Sequence, residues 1–251
     1  QASEWNYCLS RQHGHASPWE AWGRTYDWFG EVTRTVRKRN PGAYSLAEVP
    51  DLYNVQHIDL WWNWMWRDGI GADLAVFRYV LPSMIPVWCI DENQRDVIAE
   101  AFAMGSWFAV ATRSMTGRLS DAPELATQVK RLAKLRKDTA PFVAHGQFVD
   151  QRGLTVNGGK GFVYLSPCGV AVTLANGSPK RKTVQVTLDS APFEGDLPSH
   201  VLLHVEGAEP LPVVPQHNRG KWSIQAILPA YGAGVLTLEK PQKPPVSGEI
   251  E

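Results

Sequence analysis

Residues 17–48 read SPWEAWGRTYDWFGEVTRTVRKRNPGAYSLAE and contain the two elements on which the fold depends. The opening Ser-Pro-Trp-Glu is a capping box with proline at the first helical position, which predicts a helix starting at Ser17. Apolar side chains then recur at helical spacing up to Val36, and the Asn-Pro-Gly after the basic last turn ends the helix. The run 43–48 predicts a strand that closes on Glu48.

The same alternation of strands and helices extends in both directions from this stretch. A further helix, with Asp91 as its N-cap, is predicted between two apolar runs, and a third helix follows them. Continuously apolar strands that alternate with helices are typical of a parallel sheet covered by helices. The predicted elements are strands 5–9, 74–81 and 106–112 and helices 91–104 and 121–138.

The composition of the chain changes near residue 141. Ten of the 11 tryptophans lie at or before Trp107, and short β-rich runs separated by Gly, Pro and Asn replace the helical patterns afterwards. Such runs favour an antiparallel β-sandwich. We therefore predict an α/β domain over 1–141, a β-sandwich over 142–240 and a disordered tail over 241–251. The predicted strands of the sandwich are 142–149, 162–166, 170–174, 183–188, 200–205, 223–228 and 234–239.

Charge and composition exclude several classes of function. The chain has 25 basic and 25 acidic residues, so it lacks the basic excess expected of a nucleic-acid-binding protein. No apolar run reaches the length of about 18 residues that a membrane span needs. Three scattered cysteines do not suggest a disulfide framework. No signal peptide is recognisable; the cellular location stays open, with a secreted or periplasmic bacterial location as the candidate.

Polar and aromatic side chains follow the predicted strands of the first part. His13 and His15 come after the first strand, Glu48 closes the second, and Asp59 follows eleven residues later. Active groups project from the carboxyl ends of strands in parallel barrels, and paired carboxylates hydrolyse glycosidic bonds. Tryptophan rings stack on sugar faces. The sequence therefore predicts Glu48 and Asp59 as catalytic carboxylates, and His13, His15, Trp61, Trp62, Trp64 and Arg78 as sugar contacts.

Each of these residues also has a structural interpretation. The tryptophans could belong to a core or an interface, and Glu48 could pair with Arg78 inside the fold. Asp59 could cap a helix or accept a salt bridge. His13 and His15 could form a metal pair, although the local sequence offers no third ligand. We expect no metal and no cofactor.

Five segments of the chain resemble the C-terminal part of glycoside hydrolases of the α-galactosidase/α-amylase-like TIM-barrel superfamily. The resemblance covers most of residues 1–240, and the order of the segments is its strongest feature. They are Cys8–Glu48 with its His-Gly-His loop, RKRNPGAYSLAEVPDLY (37–53), AFAMGSWFAVAT (101–112), APELATQVKRLAKLRKDTAPFVAHGQF (122–148) and SIQAILPAYGAGVLTLE (223–239).

The resemblance implies the C-terminal half of a (β/α)₈ TIM barrel followed by an antiparallel β-sandwich, and it assigns the general acid/base to Glu48. A complete barrel needs about 250 residues, and residues 1–141 can supply only half of one. The nucleophile is then expected outside this chain. A second polypeptide, a cleaved N-terminal piece or a second copy would complete the barrel around a carbohydrate substrate. The alternatives are a non-catalytic carbohydrate-binding or assembly subunit, and a metal-dependent hydrolase that uses His13 and His15.

Overall fold

The structure is a computed structural model that describes residues 14, 17–47, 56–63, 72–90, 94–110, 118–189 and 200–240. Its first part alternates helices and strands. In chain order these are α1 (Pro18–Arg39), β1 (Leu46–Ala47), β2 (Leu60–Asn63), α2 (Ala72–Val80), β3 (Ile85–Ile90), α3 (Arg95–Ala103), β4 (Trp107–Val110), a 3₁₀ turn (Leu119–Asp121), α4 (Pro123–Asp138) and α5 (Ala140–Val143).

Strands β1 to β4 form one parallel sheet in sequence order, which confirms the predicted parallel α/β alternation. Helix α2 connects β2 to β3, and α3 connects β3 to β4. All four strands point the same way, so their carboxyl ends lie at one edge of the sheet and their amino ends at the other. The predicted strand 5–9 lies outside the described residues.

Helix α1 begins as the capping box predicts, because the Ser17 side chain accepts a hydrogen bond from the Glu20 backbone amide at 3.3 Å. Of the predicted apolar face, Thr33 is buried and Phe29 packs against the core, whereas Val36 is 46% exposed. A Cβ at Gly30 would lie 2.9 Å from His57 Nε2. The glycine thus lets the segment before β2 approach the helix.

Between β2 and β4, one predicted element was wrong and another begins later than predicted. The run 74–81 lies in helix α2 and not in a strand, and the adjacent strand is the unpredicted β3. Short apolar runs do not distinguish a buried strand from a buried helix by periodicity, which accounts for the error. The next helix begins at Arg95 with Gln94 as its N-cap, so Asp91 does not cap it.

Residues 147–189 and 200–240 form two antiparallel sheets, built from strands close to most of those predicted. The run 142–149 is an exception: it begins in α5, after Pro141, and becomes strand only at Gln147. One sheet has the order β11-β10-β14-β8-β7-β5 and the other β12-β13-β9-β6. The strands are β5 (Gln147–Phe148), β6 (Leu154–Asn157), β7 (Lys160–Ser166), β8 (Gly169–Ala175), β9 (Lys182–Asp189), β10 (His200–Val205), β11 (Leu211–Pro212), β12 (Gln216–Asn218), β13 (Lys221–Leu228) and β14 (Ala233–Glu239).

Two apolar clusters hold these elements together. One lies between the two antiparallel sheets and includes Val172 and Leu236 from the first and Val186 and Ile224 from the second. The other crosses residue 141: it joins side chains of α3, α4 and the parallel sheet to Phe148, Phe162, Tyr164 and Val235 of the β-rich part.

Hydrogen bonds reinforce the junction that this second cluster forms. The carbonyl of Ala103, at the end of α3, accepts from the Tyr164 hydroxyl at 3.0 Å and from Thr173 Oγ1 at 2.7 Å. Gly105 follows with a φ of +76°, and a Cβ there would lie 2.8 Å from the Tyr164 hydroxyl. Glycine is therefore required at this turn both for its backbone conformation and for the closeness of Tyr164.

Candidate functional site

In (β/α)₈ barrels the catalytic residues lie at the carboxyl ends of the parallel strands. Glu48 is the next residue in the sequence after Ala47, the last residue of β1. Its side chain lies outside the described residues, as do those of the predicted sugar contacts His13, His15 and Trp64. The positions that the structure does describe are those of Asp59, Trp61, Trp62 and Arg78.

The two tryptophans of β2 lie on opposite faces of the sheet, as strand alternation requires. Trp61 is 5% exposed and packs on Phe77 of α2, with their ring centroids 4.8 Å apart. Trp62 is directed to the face without α2, where its Nε1 donates to Cys89 Sγ of β3 at 2.6 Å. Trp61 therefore has the core position that was its structural alternative, whereas Trp62 lies on the opposite face.

The face of the sheet opposite Trp61 is concave. Tyr44, just before β1, meets Trp107 of β4 with ring centroids 5.5 Å apart and planes at 69°. Strands β1 and β4 are separated by three strand spacings, about 14 Å in a flat sheet. The contact between their aromatic rings therefore requires the sheet to curl around this face.

Asp59 lies at the amino end of β2, at the opposite edge from the residue that follows β1. Both of its carboxylate oxygens accept from Arg37 Nη2 at 2.6 Å, and Oδ2 accepts from the Ser45 amide at 2.8 Å and hydroxyl at 3.0 Å. Burial alone raises the pKa of Asp59, but the hydrogen bonds from Ser45 and Arg37 outweigh it and lower that pKa. The structure thus shows the salt-bridge alternative for Asp59, in which it ties α1 to the starts of β1 and β2.

Asp59→Asn is expected to lower the free energy of unfolding by about 1 kcal/mol near neutral pH. Arg37 and Asp59 are partly exposed, with side-chain accessibilities of 40% and 31% respectively, which limits the contribution of their ion pair to stability. Because the folded-state pKa is lowered, the stabilisation is present above the ordinary pKa of 3.8 and is lost as pH falls below it. Urea unfolding near neutral pH and below the pKa of 3.8 measures this, and a loss of stability that is the same at both pH values would contradict it.

Arg78 is buried at the junction between the two parts of the chain and is only 5% exposed. It belongs to α2, donates to the carbonyls of Pro82 and Met84, and lies over the Phe148 ring at 5.5 Å. It also hydrogen-bonds Tyr164. Since α2 ends at the amino edge of the sheet, this position is away from the edge where Glu48 follows β1.

Glu206 is a buried ionisable group that the sequence did not indicate. It follows β10, is 8% exposed, and lines a pocket of about 350 Å³ with Arg95 and Arg131. Its Oε2 atom is buried without a hydrogen-bond partner among the described residues. Burial raises the pKa of Glu206 to about 7, although Arg131 lowers it in part. Nothing in the local sequence distinguishes this residue from a surface glutamate.

Neither a metal cluster nor a membrane helix is found in the described part of the chain. No group of three or more His, Cys, Asp or Glu residues there could hold a metal ion. No helix among the same residues is both long and apolar enough to cross a membrane. His13 and His15, for which a metal pair was the alternative interpretation, lie outside them.

Comparison with solved structures identifies a similar fold. The α-amylase from Geobacillus thermoleovorans, solved in complex with acarbose, aligns with a TM-score of 0.53 and 13% identity, covering 86% of this chain and 57% of that one. A maltogenic α-amylase from Thermotoga neapolitana aligns with a TM-score of 0.52 and 10% identity, covering 86% of this chain and 59% of that one. The α-amylase from H. orenii aligns with a TM-score of 0.51 and 12% identity, covering 86% of this chain and 57% of that one.

The sequence itself matches no family model and no curated protein. The chain spans less than two thirds of the length of the α-amylase structures it matches, between 57% and 59% in these three comparisons. Over 86% of its own length, it has a fold similar to that of TIM-barrel glycoside hydrolases of the α-amylase type.

Proposed function

We propose that this chain is the C-terminal part of a glycoside hydrolase that cleaves α-linked glucans. In this proposal β1 to β4 and their helices are the second half of a (β/α)₈ barrel, and residues 142–240 are a β-sandwich that braces it. The fold similarity to α-amylases carries the proposal. The strand order, the parallel direction and the curl marked by Tyr44 and Trp107 support it.

The surface next to β1 is further evidence for the proposal that half of a barrel is missing from this chain. The described sheet ends at β1 on one side and at β4 on the other, and each leaves one strand edge without a partner among the described residues. Helix α1, which precedes β1, exposes Trp28, Val32 and Val36 at i, i+4 and i+8. Unpaired strand edges beside an apolar helix face are features that stable monomers avoid. Four further strand–helix units, on a longer form of the chain or on another polypeptide, would cover both.

Glu48 is the general acid/base in this proposal. A residue directly after a parallel strand projects at the carboxyl edge, where barrel enzymes act. From there a protonated Glu48 donates to the glycosidic oxygen as the bond to the anomeric carbon breaks. The second carboxylate, which attacks the anomeric carbon or activates water, belongs to the missing half. Asp59 braces the opposite edge, and Trp62, Trp64, His13 and His15 are the proposed sugar contacts.

The proposal is tested by native mass spectrometry of the protein from its natural source, combined with a starch-hydrolysis assay. We expect hydrolysis in a species heavier than this 27.9 kDa chain by roughly four strand–helix units, on the order of 100 residues or more. A stable 27.9 kDa monomer without hydrolytic activity would overturn the proposal. Sugar binding by that monomer would favour the non-catalytic binding module.

A further inference from the structure

A cavity of about 730 Å³ lies at the amino edge of the parallel sheet, between the starts of β3 and β4 and the 143–147 connection. It is at the opposite edge of the sheet from the position of Glu48, so it is separate from the proposed catalytic site. Its lining combines aromatic rings with groups that donate hydrogen bonds. Among the lining residues are Tyr44, Arg78, Trp107, Arg136, His145 and Gln147.

Two arginines enter this cavity from different elements. Arg78 comes from α2, and its Nε is buried without a hydrogen-bond partner among the described residues. Arg136 comes from α4 and donates to the Ser106 carbonyl. Its guanidinium also lies over two aromatic rings, 5.4 Å from the centroid of Phe102 and 5.1 Å from that of Phe108. Both arginines are thus held in place by contacts that leave their charge uncompensated.

No carboxylate compensates these charges within the part of the chain that the structure describes. The cavity lining contains no Asp or Glu, and neither arginine forms an ion pair there. Both guanidiniums instead interact electrostatically with the hydroxyl of Tyr164, which is a neutral group. Burial raises the pKa of this hydroxyl to about 12. Burial also lowers the pKa of Arg136 to about 10. Buried charges of one sign are costly unless an opposite charge joins them.

We propose that this cavity binds the carboxylate or phosphate group of a small molecule between the two guanidiniums. Arginine suits this role because its planar N–H fork matches both kinds of oxyanion. A ring that carries the oxyanion would pack against Tyr44 and Trp107, which line the same cavity. The site takes aromatic or sugar-ring anions in preference to neutral analogues of the same shape.

Calorimetric titration of the full chain with benzoate, benzamide and inorganic phosphate tests this proposal. Benzoate and benzamide share ring and size but differ in charge. We expect one benzoate per chain, weaker binding of phosphate, and no detectable binding of benzamide. Benzoate is also expected to raise Tm, an effect that requires no variant. Equal binding of benzoate and benzamide, or no binding of either anion, would overturn the proposal.

Substitutions of Arg136 test whether the anion binds next to this side chain. Arg136→Met keeps an apolar stem between Phe102 and Phe108 but removes the charge, and it is expected to weaken benzoate binding by about tenfold or more. Arg136→Lys restores the charge and part of the affinity. The matched control is Arg95→Met, because Arg95 likewise lies 5.3 Å from an aromatic ring, that of Tyr231, but outside this cavity. Benzoate affinity that is unchanged in both Arg136 variants would contradict the assignment.

Discussion

Glu48→Gln is expected to lower kcat for glucan hydrolysis by about 10²- to 10⁴-fold, with little change in KM or in stability. Glutamine keeps the shape of the side chain but cannot donate a proton to the leaving oxygen, and general acid catalysis contributes on this scale. The loss should be smallest for substrates whose leaving group is an acidic phenol, because such a group departs without protonation. Steady-state kinetics on starch and on an aryl glycoside, in the assembled enzyme, measure both effects.

Glu31→Gln is the matched control, since Glu31 is an exposed glutamate of α1 outside the proposed site. It should retain full activity on both substrates. Undiminished starch hydrolysis by a folded Glu48→Gln variant would remove Glu48 from the acid role. A loss equally large on both substrates would instead assign Glu48 to substrate binding.

Glu206→Gln is expected to stabilise the protein by about 3 kcal/mol at pH 8 and by almost nothing at pH 4. The folded-state pKa of about 7 lies above the ordinary value of 4.5, a difference worth about 1.4 kcal/mol for each unit of pKa. A raised carboxyl pKa means that the folded state retains its proton longer than the unfolded chain does. The wild type therefore loses stability as pH rises from 4.5 to about 7, whereas the glutamine variant has no such loss.

Denaturant unfolding across this pH range measures the difference between the two proteins. Glu209→Gln is the control, because it makes the same substitution at an exposed position three residues further along. It should show no pH-dependent gain. A gain from Glu206→Gln that is the same at pH 4 and pH 8 would mean that the carboxylate is not titrating in a buried site.

The sequence predicted those elements whose ends carry their own chemical signals. Helix α1 has a capping box at Ser17 and a proline–glycine stop after Arg39, and both ends are observed. Most strands of the β-rich part were predicted because turn residues separate them. These signals are local, so a single sequence contains them.

The sequence was misleading where the outcome depended on distant residues. The run 74–81 was apolar enough for a strand, yet it lies in a helix because the next run, 85–90, occupies the place in the sheet. For Asp59 a salt bridge was one of the interpretations that the sequence left open, but the partner, Arg37, lies 22 residues earlier and was not predicted. Arg78 was predicted as a sugar contact, and the sequence did not reveal that its side chain is buried against Phe148. Spacing within one segment contains no information about such partners.

The apolar cluster that crosses residue 141 has a consequence for how the molecule comes apart. Phe102 and Leu132 on one side and Phe148 and Tyr164 on the other are almost fully buried together. Separating the α/β part from the β-rich part would expose all four to water. We therefore expect one calorimetric transition that extends across the boundary suggested by the tryptophan content. We also expect the two pieces to stay associated after the backbone is cleaved at that boundary.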